Sequence, residues 1–332
     1  MTGYREVEMN PNYYQQQVSF SSSTRAQDSK QKLDGLKNMI SEVSPWPREW
    51  RTAVEAFWTL GRINQASGLR VFSRAFYKLV ELAKHFPLIP TLSELPVMNT
   101  AHIGEAPGGF YQAFTWCRRG ILGDYSTLDA AGDDKGHSLV LSLPTDTWPH
   151  GLNGKVNVFP LDMIGSPELI EEFCLKWADS RDLVTADGGF EVPAEERIIQ
   201  EQQMLGLIRS EVGIALRILK IGGSLVLKMF AIDNPATREL LLQIYCTFGK
   251  VHLVTPEASK PSNDERFIVA QVYLPVADRR VLSAEETLAW QDWLDQYCSE
   301  CKMSQYQPIQ QALALYMQIK TEGATVPREP GL

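Results

Sequence analysis

A lysine interrupts one of the most apolar segments of the chain. Lys228 lies within residues 225–230, Leu-Val-Leu-Lys-Met-Phe, and the five remaining residues of this segment are all apolar. Lysine is rarely buried without a partner, so either a strand ends at this point or the ammonium group has a chemical task. The structural alternative is a side chain that extends along the sheet until its charge reaches solvent.

Two glycine-containing turns follow predicted strands in the same way. Asp187 begins Asp-Gly-Gly-Phe directly after the largely apolar residues 183–186, where it either starts a turn or supplies a functional carboxylate. Residues 105–110, Glu-Ala-Pro-Gly-Gly-Phe, join a predicted strand to a predicted helix. Glycines there let a ligand approach the backbone, and the helix N-terminus offers free N–H groups. A tight turn without a ligand explains this motif equally well, since its spacing fits neither a dinucleotide-binding loop nor a Walker A loop.

The segments that position these residues alternate between strand and helix patterns. Strands are predicted at residues 99–104, 125–128, 156–159, 183–186, 224–230, 250–254 and 267–274, and helices at 69–86, 111–119, 168–177, 194–219 and 237–247. This alternation predicts an α/β fold with a doubly wound, mostly parallel sheet and helices on both faces. Ligands bind such sheets beyond the carboxyl ends of the strands, which is where Lys228, Asp187 and residues 105–110 lie.

A basic helix face precedes this sheet. Arg74 and Lys78 are four residues apart in the first predicted helix, so one face carries both cations. The residues alone favour a solvated basic edge beside an apolar stripe.

Five motifs occur in a fixed order along the chain. They are residues 73–79 (Ser-Arg-Ala-Phe-Tyr-Lys-Leu), 105–110, 186–190 (Ala-Asp-Gly-Gly-Phe), 227–230 and 260–267 (Lys-Pro-Ser-Asn-Asp-Glu-Arg-Phe). With these motifs the chain resembles the FtsJ-like (RrmJ-type) RNA ribose 2′-O-methyltransferases between residue 70 and residue 274. The resemblance implies a Rossmann-like methyltransferase sheet with the strand order 3-2-1-4-5-7-6.

The resemblance also implies an activity. The family's Lys-Asp-Lys-Glu catalytic set corresponds to Lys78, Asp187, Lys228 and Glu265. The implied reaction is S-adenosylmethionine-dependent methylation of an RNA ribose 2′-hydroxyl, and motif forms closer to the cap-type members favour cap-proximal nucleotides of mRNA. The alternatives are a ribosomal or other RNA, a noncatalytic FtsJ-like RNA-binding subunit, and a methyltransferase that acts on a small molecule or a protein.

S-adenosyl-L-methionine is the implied cofactor. Its methionine end is expected at Gly108 and Gly109, its ribose at Asp129 or alternatively Asp124, and its adenine near Asp162, although surface turns explain these acidic residues nearly as well. The predicted cofactor-binding set is Glu105, Ala106, Pro107, Gly108, Gly109, Phe110, Asp129, Asp162 and Asp187.

The charge balance restricts how RNA is held. The chain carries a formal net charge of -8, whereas dedicated nucleic-acid binders usually have a basic surface. RNA contact is therefore expected in a local groove that contains Arg74, Lys78 and Lys260. The N-terminal segment contributes Arg25, Lys30, Lys32 and Lys37, which are expected to act as a clamp on the RNA.

Three regions are predicted along the chain. Residues 1–44 are expected to form a flexible N-terminal extension with a short helix near 32–40, and residues 45–275 the methyltransferase domain. Residues 276–332 are expected to form a C-terminal helical extension, with helices at 283–297 and 309–320. Either extension is a candidate surface for a protein partner.

The cysteines and apolar runs indicate the compartment. Five cysteines are few and odd in number, and the pair Cys298 and Cys301 lacks a second pair or a nearby histidine, so no metal site is expected. The N-terminus lacks a signal peptide's apolar core, and no apolar run approaches the ~20 residues that span a bilayer. We expect an intracellular protein without membrane contact, cytoplasmic rather than nuclear.

Overall fold

The computed structural model describes residues 5–8, 33, 35–36, 39, 71, 73–90, 97–105, 108–117, 122–127, 156–160, 167–189, 199–259 and 264–322. Its strands are β1 (Arg5–Glu8), β2 (Asn99–Ile103), β3 (Leu122–Thr127), β4 (Val156–Pro160), β5 (Arg181–Ala186), β6 (Leu219–Met229), β7 (Phe248–Thr255) and β8 (Arg266–Tyr273). Its helices are α1 (Ala75–His85), α2 (Gly109–Cys117), α3 (Pro167–Trp177), α4 (Gln200–Ile218), α5 (Pro235–Thr247) and α6 (Ala284–Glu322), with a 3-10 turn at Val276–Asp278.

One sheet contains all eight of these strands, in the order β1-β7-β8-β6-β5-β2-β3-β4. Strands β6, β5, β2, β3 and β4 are parallel neighbours, while β8 runs antiparallel between β6 and β7. When β1 is set aside and β2 to β8 are counted from one to seven, the order read from β4 is 3-2-1-4-5-7-6. The predicted fold class and strand order are therefore confirmed.

The two faces of the sheet bury separate apolar layers, because side chains alternate along each strand. In β6, Leu225 and Leu227 pack with residues of α4, α5 and α6, whereas Val226 packs with residues of α1 and α2. The same alternation occurs in β5, where Val184 belongs to the first layer and Leu183 to the second. Helices thus cover both faces of the sheet, which leaves the ends of the strands as the location for a functional site.

The N-terminal region differs from the flexible extension that the sequence predicts for residues 1–44. Arg5–Glu8 form a strand that pairs antiparallel with β7, with Arg5 opposite Thr255. A sheet edge presents unpaired N–H and C=O groups, and a short added strand satisfies them. Leu33, within the predicted helix, is helical and buried against Ile309 and Leu313 of α6.

The C-terminal region differs from prediction in its continuity. A single helix, α6, replaces the two helices predicted at 283–297 and 309–320, and Pro308 lies inside it. A proline removes one N–H donor and kinks a helix rather than always ending it. None of the helices in the described ranges has both the length and the apolar character that a bilayer span requires.

The start of α6 is well anchored. Ser283 and Glu286 form reciprocal bonds, since the N–H of Ser283 donates to Glu286 Oε2 at 2.8 Å and the N–H of Glu286 donates to Ser283 Oγ at 3.2 Å. This capping box fixes where the helix begins. Trp290 and Leu294 of the first half then join the same buried layer as β6, so α6 completes the core of the sheet.

Candidate active site

Lys228 and Asp187 meet at the carboxyl ends of two neighbouring parallel strands. Ala186, the last residue of β5, lies opposite Leu227 of β6 in the sheet register. Lys228 Nζ donates to the carbonyl oxygen of Asp187 at 2.7 Å and lies 3.2 Å from Asp187 Oδ1. Both side chains are only about an eighth exposed. The lysine that interrupts the apolar run therefore ends in a polar, mostly buried contact.

Lys78 and Glu265 form a second pair beside the first. Lys78 belongs to α1, and Glu265 directly precedes β8. Lys78 Nζ lies 2.6 Å from Glu265 Oε1. Ser259 Oγ donates to the same carboxylate oxygen at 2.7 Å. Phe267, two residues after Glu265, lies opposite Lys228 in the register of β6 and β8. The structure thus brings the four predicted catalytic residues together at one edge of the sheet, while their roles stay a prediction.

The charges around Lys228 keep its ammonium group protonated. Burial acts to lower the pKa of Lys228, but the negative charges of Asp187 and Glu265, joined by that of Glu211 once it ionises at higher pH, outweigh burial and hold it above the ordinary lysine value. In the ligand-free protein Lys228 is therefore a hydrogen-bond donor rather than a free base.

The pKa of Glu265 is shifted in the opposite direction. Burial acts to raise the pKa of Glu265, and the positive charges of Lys78 and Lys228 outweigh burial and hold it below the ordinary value. A charged Glu265 between two lysines compensates both cations at once. The pairs consequently form one electrostatic unit.

A glutamate on α1 holds the loop that leads to Glu265. Glu81 lies three residues after Lys78, and its carboxylate accepts the N–H groups of Glu257 at 2.8 Å and Ala258 at 3.2 Å. Ser259 follows directly and bonds to Glu265. Helix α1, which supplies Lys78, therefore also fixes the loop residues next to Ser259, which bonds to Glu265, the ion-pair partner of Lys78. The contact of Glu81 with this loop joins distant segments, so no local sequence pattern predicts it.

The glycine-rich turn before α2 has a structural task of its own. Glu105 Oε1 accepts the N–H groups of Phe110 at 2.5 Å and Tyr111 at 3.0 Å, so this carboxylate caps the helix. Gly108 has φ 100°, which side chains rarely tolerate. A Cβ at Gly109 would lie 2.2 Å from Ser73 Oγ. These positions need glycine even before a ligand is considered.

The second oxygen of Glu105 differs from the first. Glu105 is buried, and its Oε2 has no hydrogen-bond partner among the described residues. Burial, followed by the charge of Asp187, raises the pKa of Glu105 well above the ordinary value. An unpaired buried carboxylate oxygen is costly, and a cationic ligand group would relieve that cost.

The other predicted residues fall into two groups. Arg74 lies just before α1 and is exposed, one turn from Lys78. Nine predicted residues lie outside the described part of the chain: Arg25, Lys30, Lys32, Lys37, Ala106, Pro107, Asp129, Asp162 and Lys260. Within the described ranges no three His, Cys, Asp or Glu side chains converge as metal ligands, and Cys298 and Cys301 are buried free thiols.

The sequence of the chain is similar to those of known methyltransferases. The sequence profile of the FtsJ-like methyltransferase family matches residues 71–273. The chain is 27% identical over 268 residues to a cap-specific mRNA (nucleoside-2'-O-)-methyltransferase 2 of Drosophila melanogaster, covering 74% of this chain and 36% of the relative.

Two further relatives give a similar result. The Danio rerio cap-specific mRNA (nucleoside-2'-O-)-methyltransferase 2 is 28% identical over 273 residues, covering 76% of this chain and 35% of the relative. The Mus musculus cap-specific mRNA (nucleoside-2'-O-)-methyltransferase 1 is 28% identical over 207 residues, covering 60% of this chain and 24% of the relative. The chain spans about a third or less of the length of these relatives. From the span of the family match, the chain belongs to the FtsJ-like methyltransferase family.

Proposed function

We propose that this protein transfers a methyl group from S-adenosyl-L-methionine to a ribose 2′-hydroxyl of RNA, at cap-proximal nucleotides of mRNA. The observation that carries the proposal is the pair of lysine–carboxylate contacts, Lys228 with Asp187 and Lys78 with Glu265, beyond the carboxyl ends of a parallel sheet. Ligands bind at this edge in open α/β sheets. The names of the relatives support the choice of a capped RNA.

The turn before α2 fits the proposed cofactor. S-adenosyl-L-methionine bears a positive sulfonium and a positive ammonium group, and its sulfonium supplies an activated methyl. Glu105 offers a buried, unpartnered carboxylate oxygen, so Glu105 with Gly108 and Gly109 would hold the methionine end. Because the Phe110 and Tyr111 N–H groups of α2 already donate to Glu105, they are not assigned to the cofactor's carboxylate.

Lys228 is the residue that would contact the attacking oxygen. A ribose hydroxyl is a weak nucleophile and has to be oriented or deprotonated. The raised pKa makes Lys228 a donor first, which orients the hydroxyl while Asp187 holds the ammonium group in place. A positive charge brought close to Lys228 lowers its pKa, so the lysine becomes a better proton acceptor only when the site is loaded.

The RNA strand would approach along α1. Arg74 is exposed at the start of this helix and Lys78 lies one turn further into the site. Both cations suit phosphate contacts, but the Lys78 side chain is only 12% exposed, whereas Arg74 is exposed. We therefore assign Arg74 to contacts with the RNA strand, and Lys78 mainly to the set of four predicted catalytic residues.

Methyl transfer from radiolabelled S-adenosyl-L-methionine tests the proposal. Capped mRNA, uncapped mRNA and ribosomal RNA are offered separately, and digestion to nucleosides identifies the methylated position. We expect label in a 2′-O-methyl nucleoside next to the cap, and none with the Lys228→Ala variant. Label in ribosomal RNA alone would overturn the substrate, and RNA binding without any transfer would favour a noncatalytic subunit.

A further inference from the structure

Glu211 is a fully buried glutamate that lies under the turn carrying Asp187. It belongs to α4, and its Oε1 accepts the backbone N–H of Gly188 at 2.9 Å. Gly188 directly follows Asp187, whose own N–H donates to the carbonyl oxygen of Ile103 at 3.1 Å. The turn is thus held from two sides, by α4 and by β2.

The space around this carboxyl group is built for it. A Cβ on Gly188 would come 2.2 Å from Glu211 Oε1, and a Cβ on Gly104 would come 3.1 Å from the same oxygen. Gly104 begins the turn that leads to Glu105, whereas Gly188 belongs to the turn of Asp187. Glu211 therefore lies where the predicted cofactor turn and the catalytic turn meet, and glycines at both positions make room for it.

A purely structural role does not require an acid here. The other buried residues of α4 are apolar: Met204, Leu207, Ile208, Val212, Ile214, Ala215 and Ile218. A buried carboxyl group costs free energy unless its oxygens are satisfied, and Glu211 Oε2 has no hydrogen-bond partner among the described residues. A buried acid at such a position indicates a requirement of the neighbouring site.

We propose that Glu211 is a positioning residue for methyl transfer, which fixes the Asp187–Gly188 backbone relative to Gly104 and thereby places the ammonium group of Lys228. The geometric link is direct, because Lys228 Nζ donates at 2.7 Å to the carbonyl oxygen of Asp187, which belongs to the same planar peptide group as the Gly188 N–H that donates to Glu211. A shift of this turn moves the acceptor of Lys228. The inference rests on the proposed function for its turnover consequence, but not for the hydrogen bond itself.

The protonation state of Glu211 suits this task. Burial raises the pKa of Glu211 to about 8; the charge of Asp187 acts in the same direction, while the charge of Lys228 and the Gly188 N–H bond oppose it. Glu211 is therefore mostly neutral near pH 7. A neutral acid holds the turn without adding another full negative charge to those of Asp187 and Glu265 around Lys228.

Two variants separate positioning from packing. In Glu211→Gln the amide oxygen still accepts the Gly188 N–H and the group stays neutral, so we expect a kcat within about threefold of the wild-type value. In Glu211→Leu the acceptor is lost, and we expect kcat to fall about tenfold or more while the KM for cofactor changes less than about threefold, as an interaction that orients the reacting groups predicts. Glu211→Leu with wild-type kcat in a folded protein would overturn the proposal.

Glu201 provides the matched control on the same helix. Its carboxylate also accepts backbone N–H groups, those of Asp233 at 3.1 Å and Asn234 at 2.8 Å, in a loop distant from Asp187 along the chain. We expect Glu201→Leu to lower thermal stability about as much as Glu211→Leu does and to leave kcat within about threefold. An equal loss of kcat in both variants would assign the effect to general loosening of α4 and overturn the proposal.

A measurement without RNA tests the hydrogen bond independently of the proposed reaction. Protein labelled uniformly with ¹³C and ¹⁵N, with its backbone resonances assigned, reports the Gly188 amide independently of any variant. We expect this resonance to titrate with a midpoint near the pKa of Glu211, about 8, in the wild type and to stay constant in Glu211→Gln. If the wild type methylates no RNA but Gly188 titrates, the proposed function fails and the positioning contact stands. If the Gly188 resonance is the same in both proteins at every pH, the hydrogen bond between Gly188 and Glu211 is absent and the proposal is overturned.

Discussion

Lys78 and Glu265 form a buried ion pair, with 2.6 Å between Nζ and Oε1, although more than half of the chain separates them in sequence. The pair joins α1 to the start of β8, and Ser259 adds a hydrogen bond to the same oxygen. Because both side chains are about nine-tenths buried, neither charge is well solvated if its partner is removed.

Breaking this pair should therefore destabilise the protein. We expect Glu265→Gln to lower the free energy of unfolding by about 3 kcal/mol, since Lys78 is left as a buried charge without its partner. Urea unfolding measures the loss. The control is Glu171→Gln, which breaks the exposed pair with Arg217 and should have no measurable effect. Equal stability of Glu265→Gln and wild type would contradict a buried, compensated pair.

Removing the amine of Lys228 should abolish transfer while the cofactor still binds. We expect Lys228→Ala to lose about 100-fold or more in turnover, which is the usual loss for a group that orients or deprotonates a nucleophile. Calorimetry should give a cofactor Kd within about threefold of wild type, because Lys228 is assigned to the RNA hydroxyl. Near wild-type turnover would show that another group contacts the attacking oxygen.

Glu105 offers a test of cofactor binding that keeps the helix cap. In Glu105→Gln an amide oxygen still accepts the N–H groups of Phe110 and Tyr111, but the negative charge is lost. We expect affinity for S-adenosyl-L-methionine to fall about tenfold, in the range of a lost charge-assisted hydrogen bond. Because its pKa is raised, wild-type affinity should increase with pH as Glu105 loses its proton, and the variant should be flat. Wild-type affinity in Glu105→Gln would place the cofactor ammonium elsewhere.

Glu211 should make stability depend on pH in a specific direction. Its pKa is about 8 when folded and near 4.5 in an unfolded chain, so the folded state binds more protons between these values. Its contribution to stability is fully present below pH 4.5 and is lost as pH rises through 8, with a slope of about 1 kcal/mol per pH unit. In urea unfolding, the free energy of unfolding should fall less between pH 5 and pH 8.5 in Glu211→Gln than in the wild type. Parallel curves would contradict the raised pKa.

The N-terminal cations remain a prediction that the structure makes easier to test. Deleting residues 1–44 would also remove β1 and Leu33, which pack on the folded part. Replacing Arg25, Lys30, Lys32 and Lys37 with glutamine removes charge without removing those contacts. If they clamp RNA, affinity should fall and the slope of log K against log salt should flatten by about 0.7 for each lost phosphate contact. An unchanged slope would assign RNA affinity to the groove at Arg74 or to a partner.

The sequence predicts the sheet well because its elements are local. Residues 183–186 and 225–230 are mostly apolar, and the place of Asp187 and Lys228 at strand ends follows once the alternation of strands and helices is recognised. The contacts that fix these side chains are not local. Glu81 bonds to Glu257 and Ala258, which are far away in the sequence, and Glu211 reads as one more polar residue on an amphipathic helix. Only the packing of α4 under β5 shows that it is buried.

The strand pairing at the edge of the sheet has a consequence for the order in which the protein is assembled. Arg5 lies opposite Thr255, so β1 pairs with a segment that emerges from the ribosome roughly 250 residues later. At about 5–20 residues per second, this interval lasts on the order of ten seconds or more. Closing such a long loop is entropically unfavourable and makes the pairing of β1 with β7 a late event. During synthesis, therefore, the free side of β7 stays open to other chains until β1 pairs with it.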